Sequence, residues 1–197
     1  MLEKVKLALR IQSLKLDEEI EDLMNKLGAT KYVTLDVTQE YYAKSLKYMI
    51  FGNVLRNNCY PISVSSERIF QALAIARYAK EIGASAIAHG STGAGNDQVR
   101  FELTIKHFAP DMPIIAPWRE WDIKSREEEI EYAEAHNIPL KINRETNYSK
   151  DKNLWHLSHE GMDLEDTGNE PMYDKPGFLE MGVSPTMAPD EPTYVTL

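Results

Sequence analysis

The sequence predicts an α/β fold, a doubly wound and mainly parallel sheet, and three observations carry that prediction. From residue 4 to residue 142, short apolar runs suited to strands alternate with segments of helical period. One such run, Ala84 to Ala88, ends in a turn with Gly90, Gly93 and Gly95, after which a helix-like segment opens at Asn96 and Asp97. Beyond residue 143 the alternation fades, so residues 1–142 read as one α/β domain and residues 143–197 as a second, irregular segment.

Taken in order, Val5, Leu7, Leu9 and Ile11 follow a two-residue period and predict a strand over 4–11. Asp17 opens a helix with Ile20, Leu23, Met24 and Leu27 on one stripe and Gly28 as its stop. Tyr32 to Val37 predicts a second strand, with Val33, Leu35 and Val37 on one face. Thr38 is the expected cap of a helix that carries Tyr42, Leu46, Met49 and Ile50 on one side and runs out near Asn57. Tyr60 precedes a proline and is pushed towards extended backbone. Ser63 to Ser66 leads into a helix through Ile69, Leu73 and Ala76 that stops at Gly83. The glycine turn is followed by a helix from Asp97 to about His107, a strand at Pro113 to Ala116, and a helix to His136. Ser125 and Glu128 supply a capping box for that last helix. Ile138 to Ile142 is the last strand candidate. Residues 171–197 hold five prolines and no helix-length pattern, which predicts an extended arm.

The chemistry gathers at the glycine turn. Ligands of open α/β sheets bind at the carboxyl ends of strands, and Thr92 and Asp97 lie at such an end. Glycines let the backbone approach a ligand, and the first helical turn offers N–H groups to an anion. Ser91, Thr92, Asn96, Asp97 and Arg100 add hydroxyls, an amide, a carboxylate and a guanidinium. That set suits a zwitterionic amino acid better than a bare phosphate, because Asp97 would repel phosphate and attract an ammonium. The plainer alternative is an ordinary strand–helix turn with Asp97 as its cap. Likewise Tyr60 and the serines admit a reading as plain loop residues.

Composition removes other classes. Net charge is −9, against the basic face that nucleic-acid binding needs. No apolar run approaches the roughly 20 residues of a bilayer span, and no secretory leader is recognisable. The single cysteine, Cys59, allows no internal disulfide and fits a reducing cytoplasm. His156 and His159 stand three apart without a third ligand, so no metal site is expected.

The string His89-Gly-Ser-Thr-Gly-Ala-Gly-Asn-Asp-Gln-Val-Arg-Phe101 resembles the substrate loop of argininosuccinate synthase. The resemblance extends over about Leu27 to Leu197. It includes Ala116-Pro-Trp-Arg-Glu-Trp121, Ser125-Arg-Glu-Glu-Glu129, Asn153-Leu-Trp-His156 and Asp190-Glu-Pro-Thr-Tyr-Val195. It implies a Rossmann-like adenine-nucleotide α-hydrolase fold and a cytoplasmic ligase of arginine biosynthesis. That ligase joins citrulline to aspartate with ATP and magnesium, through a citrulline adenylate, releasing AMP and pyrophosphate. By matching motif, Thr92, Asn96 and Asp97 correspond to aspartate contacts. Tyr60, Ser65, Asn96, Arg100, Ser149 and Ser158 correspond to citrulline contacts, and Gly90 to a nucleotide contact. No residue is assigned a proton-transfer role, since positioning and charge stabilisation suffice for this chemistry.

Two departures accompany the resemblance. Ala94 stands where many members carry lysine, and the Ser-Gly-Gly-Leu-Asp-Thr-Ser pyrophosphate loop of the family occurs nowhere in these 197 residues. The expectation is therefore an incomplete sheet in a middle segment of a larger enzyme. The family's homo-oligomeric assembly and a companion chain supplying the absent strand are the partners implied, together with citrulline, aspartate and ATP. The rival expectation is a non-catalytic amino-acid-binding or inactive truncated product.

Overall fold

The computed structural model describes residues 14–93, 95–123, 125–139, 148–175, 178–179, 182–194 and 196, with backbone alone for 14–19 and 126. The strand expected over 4–11, Ala94, and residues 140–142 of the last strand candidate lie outside the described residues. Contacts divide the chain into two compact units, 1–140 with 153–155, and 141–152 with 156–197.

In the first unit α1 spans Leu14–Lys26 and turns at Gly28. A continuous helical run follows as α2 (Thr38–Tyr41), a π-helical segment (Tyr42–Leu46) and α3 (Lys47–Phe51). The two-residue strands β1 (Leu55–Arg56) and β2 (Tyr60–Pro61) pair antiparallel and lead into the long α4 (Ser63–Glu81). Gly83, at φ +63, ends α4, and Ala84 N–H reaches back to the Ala79 carbonyl at 2.8 Å. Next come β3 (Ile87–Ala88), α5 (Asn96–Phe108) and β4 (Ile114–Ile115), with β3 and β4 parallel. Ile87 N–H donates to Pro113 O at 2.9 Å and His89 N–H to Ile115 O at 3.1 Å. A 3-10 turn, Pro117–Arg119, stands at the carboxyl end of β4, and α6 (Arg126–Ala135) closes the unit.

This β–α–β unit is the expected parallel α/β arrangement, with the glycine turn and the Pro117–Arg119 turn at adjacent carboxyl ends. The core joins α4 to α5 through Ala72, Ala76, Ala79, Ile87, Ile105 and Ala109, with Ile75, Phe101 and Ile114 packed against it. Three alanines on one stripe of α4 let α5 approach closely. Ser125 Oγ accepts from Glu128 N–H while Glu128 accepts from Ser125 N–H, so the predicted capping box is present.

Several expectations need correction. Residues 32–37 show the predicted alternation, with Val33, Leu35 and Val37 more buried than Thr34 and Asp36, yet form no strand. A strand requires a hydrogen-bonded neighbour, and none pairs with this segment among the described residues. Thr38 is the first helical residue rather than the cap; its N–H is taken by Asp36 Oδ1 at 2.8 Å. The buried face of this run holds Tyr41 and Leu46, while Tyr42 and Ile50 are exposed. π-helical bonds span i to i+5, so residues five apart share a face and the regular stripe is shifted. On α4, Ile69 is exposed and the inward face carries Glu67 and Gln71 besides the alanines.

The second unit is built on an antiparallel pair, β5 (Ser149–Lys152) and β6 (Leu157–Glu160), which the sequence did not announce. Tyr148 and His159 pack edge-on and face-on against Phe178. The expected C-terminal arm is irregular where described, apart from a 3-10 turn at Pro185–Met187.

Candidate functional site

Gly95, with extended backbone and no side-chain cap bond, occupies the cap position of α5. Asp97 is therefore not the cap. Its carboxylate is instead gripped from both sides: Arg68 Nε donates to Oδ2 at 3.0 Å and an Arg100 guanidinium N–H to Oδ1 at 2.7 Å. Arg100 reaches Asp97 from one turn away on α5, as i,i+3 geometry allows. Arg68 comes from the second turn of α4, so the N-terminal parts of α4 and α5 meet at this carboxylate. The second charge in the cluster is Glu67, which is buried and accepts from Arg68 at 3.2 Å and Gln71 at 2.8 Å. An ionised carboxylate offers about four acceptor positions; the two guanidiniums take one each. The Asp97 side chain is 34% exposed, so its remaining capacity is reachable from solvent.

Tyr60 sits in β2, directly before α4, opposite Arg56. Ser65 lies in the first turn of α4 rather than in a loop. Thr92 and Asn96 are exposed on the glycine turn and at the start of α5. A Cβ on Gly90 would project into open space, the room a close ligand needs. Gly90, Thr92 and Asn96, with Asp97 and Arg100, follow the carboxyl end of β3 along the glycine turn and the start of α5, whereas Tyr60 and Ser65 stand on β2 and α4. Ser149 and Ser158 belong to the second unit. Register places them, with Asp151 and Glu160, on one face of the β5–β6 pair, since directly opposed residues point the same way.

Sequence reasoning missed Arg68 and a second cluster around Glu102. His89 Nδ1 accepts Ser91 N–H at 3.2 Å, which leaves the ring proton on Nε2, 3.1 Å from Glu102 Oε1. Arg119 donates to the same Glu102 oxygen and, at 3.3 Å, to Gln98 Oε1. Gln98 in turn donates its amide N–H to Gly93 O. Glu102 lies in the second turn of α5, and no local spacing links it to His89 or Arg119.

Burial works to raise the Glu102 pKa, but hydrogen bonds from His89 and Arg119, with the charge of Arg119, outweigh it and hold the carboxyl below its usual value. A depressed folded-state pKa gives stability that is present above the unfolded carboxyl pKa and lost as pH falls through the lower folded value. Glu102→Gln should therefore melt below the parent at neutral pH. The difference should vanish on acidification through the carboxylate range, as checked by melting curves against pH.

Gly93 is sterically required. A Cβ there would lie 2.9 Å from Trp118 Cδ1 and 3.3 Å from its Nε1. Gly93→Ala should displace Trp118 and cost about 1–3 kcal/mol, the range for overpacking. A melting curve and a changed tryptophan emission spectrum would report it.

Among the described residues no group of three or more His, Cys, Asp or Glu could hold a metal ion, and no helix is long and apolar enough to cross a membrane.

The amino-acid sequence matches a family model and curated relatives of the same name. The model for the arginosuccinate synthase N-terminal HUP domain, a Rossmann-like adenine-nucleotide fold, matches residues 6–139, beginning well before Leu27. The argininosuccinate synthase of Clostridium botulinum (strain Eklund 17B / Type B) is 54% identical over 178 residues, covering 90% of this chain and 43% of that protein. That of Acetivibrio thermocellus is 50% identical over 183 residues, covering 91% and 45%. The chloroplastic argininosuccinate synthase of Arabidopsis thaliana is 42% identical over 186 residues, covering 94% and 37%. The chain thus spans less than half the length of these curated relatives.

Proposed function

The chain belongs to the argininosuccinate synthase family, and on that premise we propose that it supplies the amino-acid site of an ATP-dependent ligase joining citrulline to aspartate. The observation that supports this reading is the Asp97 carboxylate, fixed by Arg68 and Arg100 with acceptor capacity left over. Asp97 holds the ammonium of aspartate, with Thr92 and Asn96 beside it. Arg100, Tyr60, Ser65 and Asn96 take citrulline, and Ser149 and Ser158 are assigned to it by motif. The open space at Gly90 suits the close approach of a nucleotide. Bound ATP with magnesium supplies the phosphoryl electrophile and the pyrophosphate leaving group. The protein residues orient the two amino acids and stabilise charge, which is the larger part of such catalysis.

Titration calorimetry with L-aspartate, and with succinate as the control lacking the ammonium, tests the reading. Aspartate should bind and succinate should not. Equal binding of both would overturn the ammonium role of Asp97.

Arg100→Lys is expected to lower citrulline affinity about ten-fold or more, because lysine cannot make a paired planar contact with a carboxylate. Aspartate affinity should fall less, since Arg68 still holds Asp97. Equal losses for the two ligands would assign Arg100 a structural role.

A further inference from the structure

We propose that His89, Glu102 and Arg119 form a positioning clamp that fixes the Ser91–Gly93 backbone, and with it the Thr92 hydroxyl, for the amino-acid ligand. The inference rests on the aspartate role proposed for Thr92. Its physical basis is that both ends of this three-residue stretch are tied to one carboxylate. At the first end, the imidazole of His89 accepts the Ser91 N–H at Nδ1 and donates its Nε2–H to the Glu102 carboxylate. Its ring lies flat near Phe101, centroids 6.3 Å apart, which limits rotation. At the second end, Arg119 bonds Glu102 and takes the oxygen of the Gln98 amide, so the amide nitrogen faces Gly93 O. Arg119 thereby decides the orientation of Gln98. Thr92 stands between two anchored neighbours, and the Trp118 ring closes off movement of Gly93.

The site of the carboxylate separates a clamp from an ordinary surface pair. Glu102 and His89 side chains are only 12% and 9% exposed, while Arg119 is 50% exposed. A partly buried carboxylate that loses its donors is costly, so the network holds a single arrangement. Arg119 belongs to the turn after β4, Glu102 to α5, and His89 to the end of β3. The clamp thus ties the turn to both strands and to the helix of the β–α–β unit.

Hydrogen–deuterium exchange and aspartate titration of the 197-residue chain, in parent, Glu102→Ala, Glu102→Gln and Arg119→Ala forms, test the proposal. In Glu102→Ala, exchange at residues 91–93 should rise, and aspartate affinity should fall, each by about ten-fold, the effect of one charge-assisted hydrogen bond. Amides of α4 should keep their protection. Glu102→Gln keeps an acceptor oxygen and should recover most of both losses. Arg119→Ala removes a half-exposed side chain, folds without a cavity, and should free Gly93 through Gln98. Unchanged exchange at 91–93 in both alanine variants, or loss of protection spread equally over α4, would overturn the clamp. So would loop loosening that leaves aspartate affinity intact. A parent chain that binds no aspartate would instead sink the proposed function, while exchange at 91–93 still decides whether the clamp exists.

Discussion

Asp97→Asn is expected to weaken aspartate binding by about 1.5–3 kcal/mol, the range for a hydrogen bond to a charged group, and to lower stability by about 1–2 kcal/mol. The second figure follows from the structure. As a helix cap, Asp97 would exchange for Asn almost freely, since both cap well. The cap position belongs to Gly95, however, and Asp97 carries a guanidinium on each oxygen. Asparagine keeps one acceptor and turns an NH2 towards either Arg68 or Arg100. Arg68, whose side chain is 19% exposed, is the costlier one to leave facing a donor. Partial exposure of Asp97 keeps the loss well below that of a fully buried pair. Calorimetric titration with aspartate and a melting curve separate the two effects. A lowered melting temperature with unchanged affinity would leave Asp97 as an ion-pair partner and nothing more.

The elements legible in the sequence were those that local chemistry determines. Gly83 and the Ser125–Glu128 capping box mark helix ends within a few residues of chain, and both stand where expected. The glycine turn between β3 and α5 was legible for the same reason. Features set by distant partners were not. Arg68 and Asp97 are 29 positions apart, and Glu102 is 13 from His89 and 17 from Arg119, so no spacing rule connects them. The face of the 38–51 run was misassigned because a π-helical segment changes which residues align. Residues 32–37 keep their alternating burial, but among the described residues no strand pairs with them. The β5–β6 pair was hidden by composition: Ser-Lys-Asp-Lys and Leu-Ser-His-Glu carry little of the β-branched, alternating signal of strands. Within that pair, Ser149 and Ser158 share a face although they are nine residues apart.

Ile105→Ala should destabilise the first unit by about 2–5 kcal/mol, the range for truncating a core aliphatic side chain. Ile105 is 1% exposed and packs into the cluster of Ala72, Ala76, Ala79, Ile87 and Ala109. Small neighbours cannot collapse far into the space that is left, which places the expected cost in the upper part of that range. The melting temperature should fall by about 4–20 °C for a domain of this size. Leu103 on the same helix is 65% exposed, and Leu103→Ala should cost less than about 0.5 kcal/mol. The contrast matters for the site because Ile105 stands two turns along α5 from Asp97. If core packing only holds α5 in place while Arg68 and Arg100 set the carboxylate, Ile105→Ala should retain aspartate affinity within about two-fold when measured well below its melting point, since distant sites act nearly independently. An affinity loss comparable to that of Asp97→Asn would mean that the guanidiniums do not fix the carboxylate by themselves and that the α4–α5 packing sets its position.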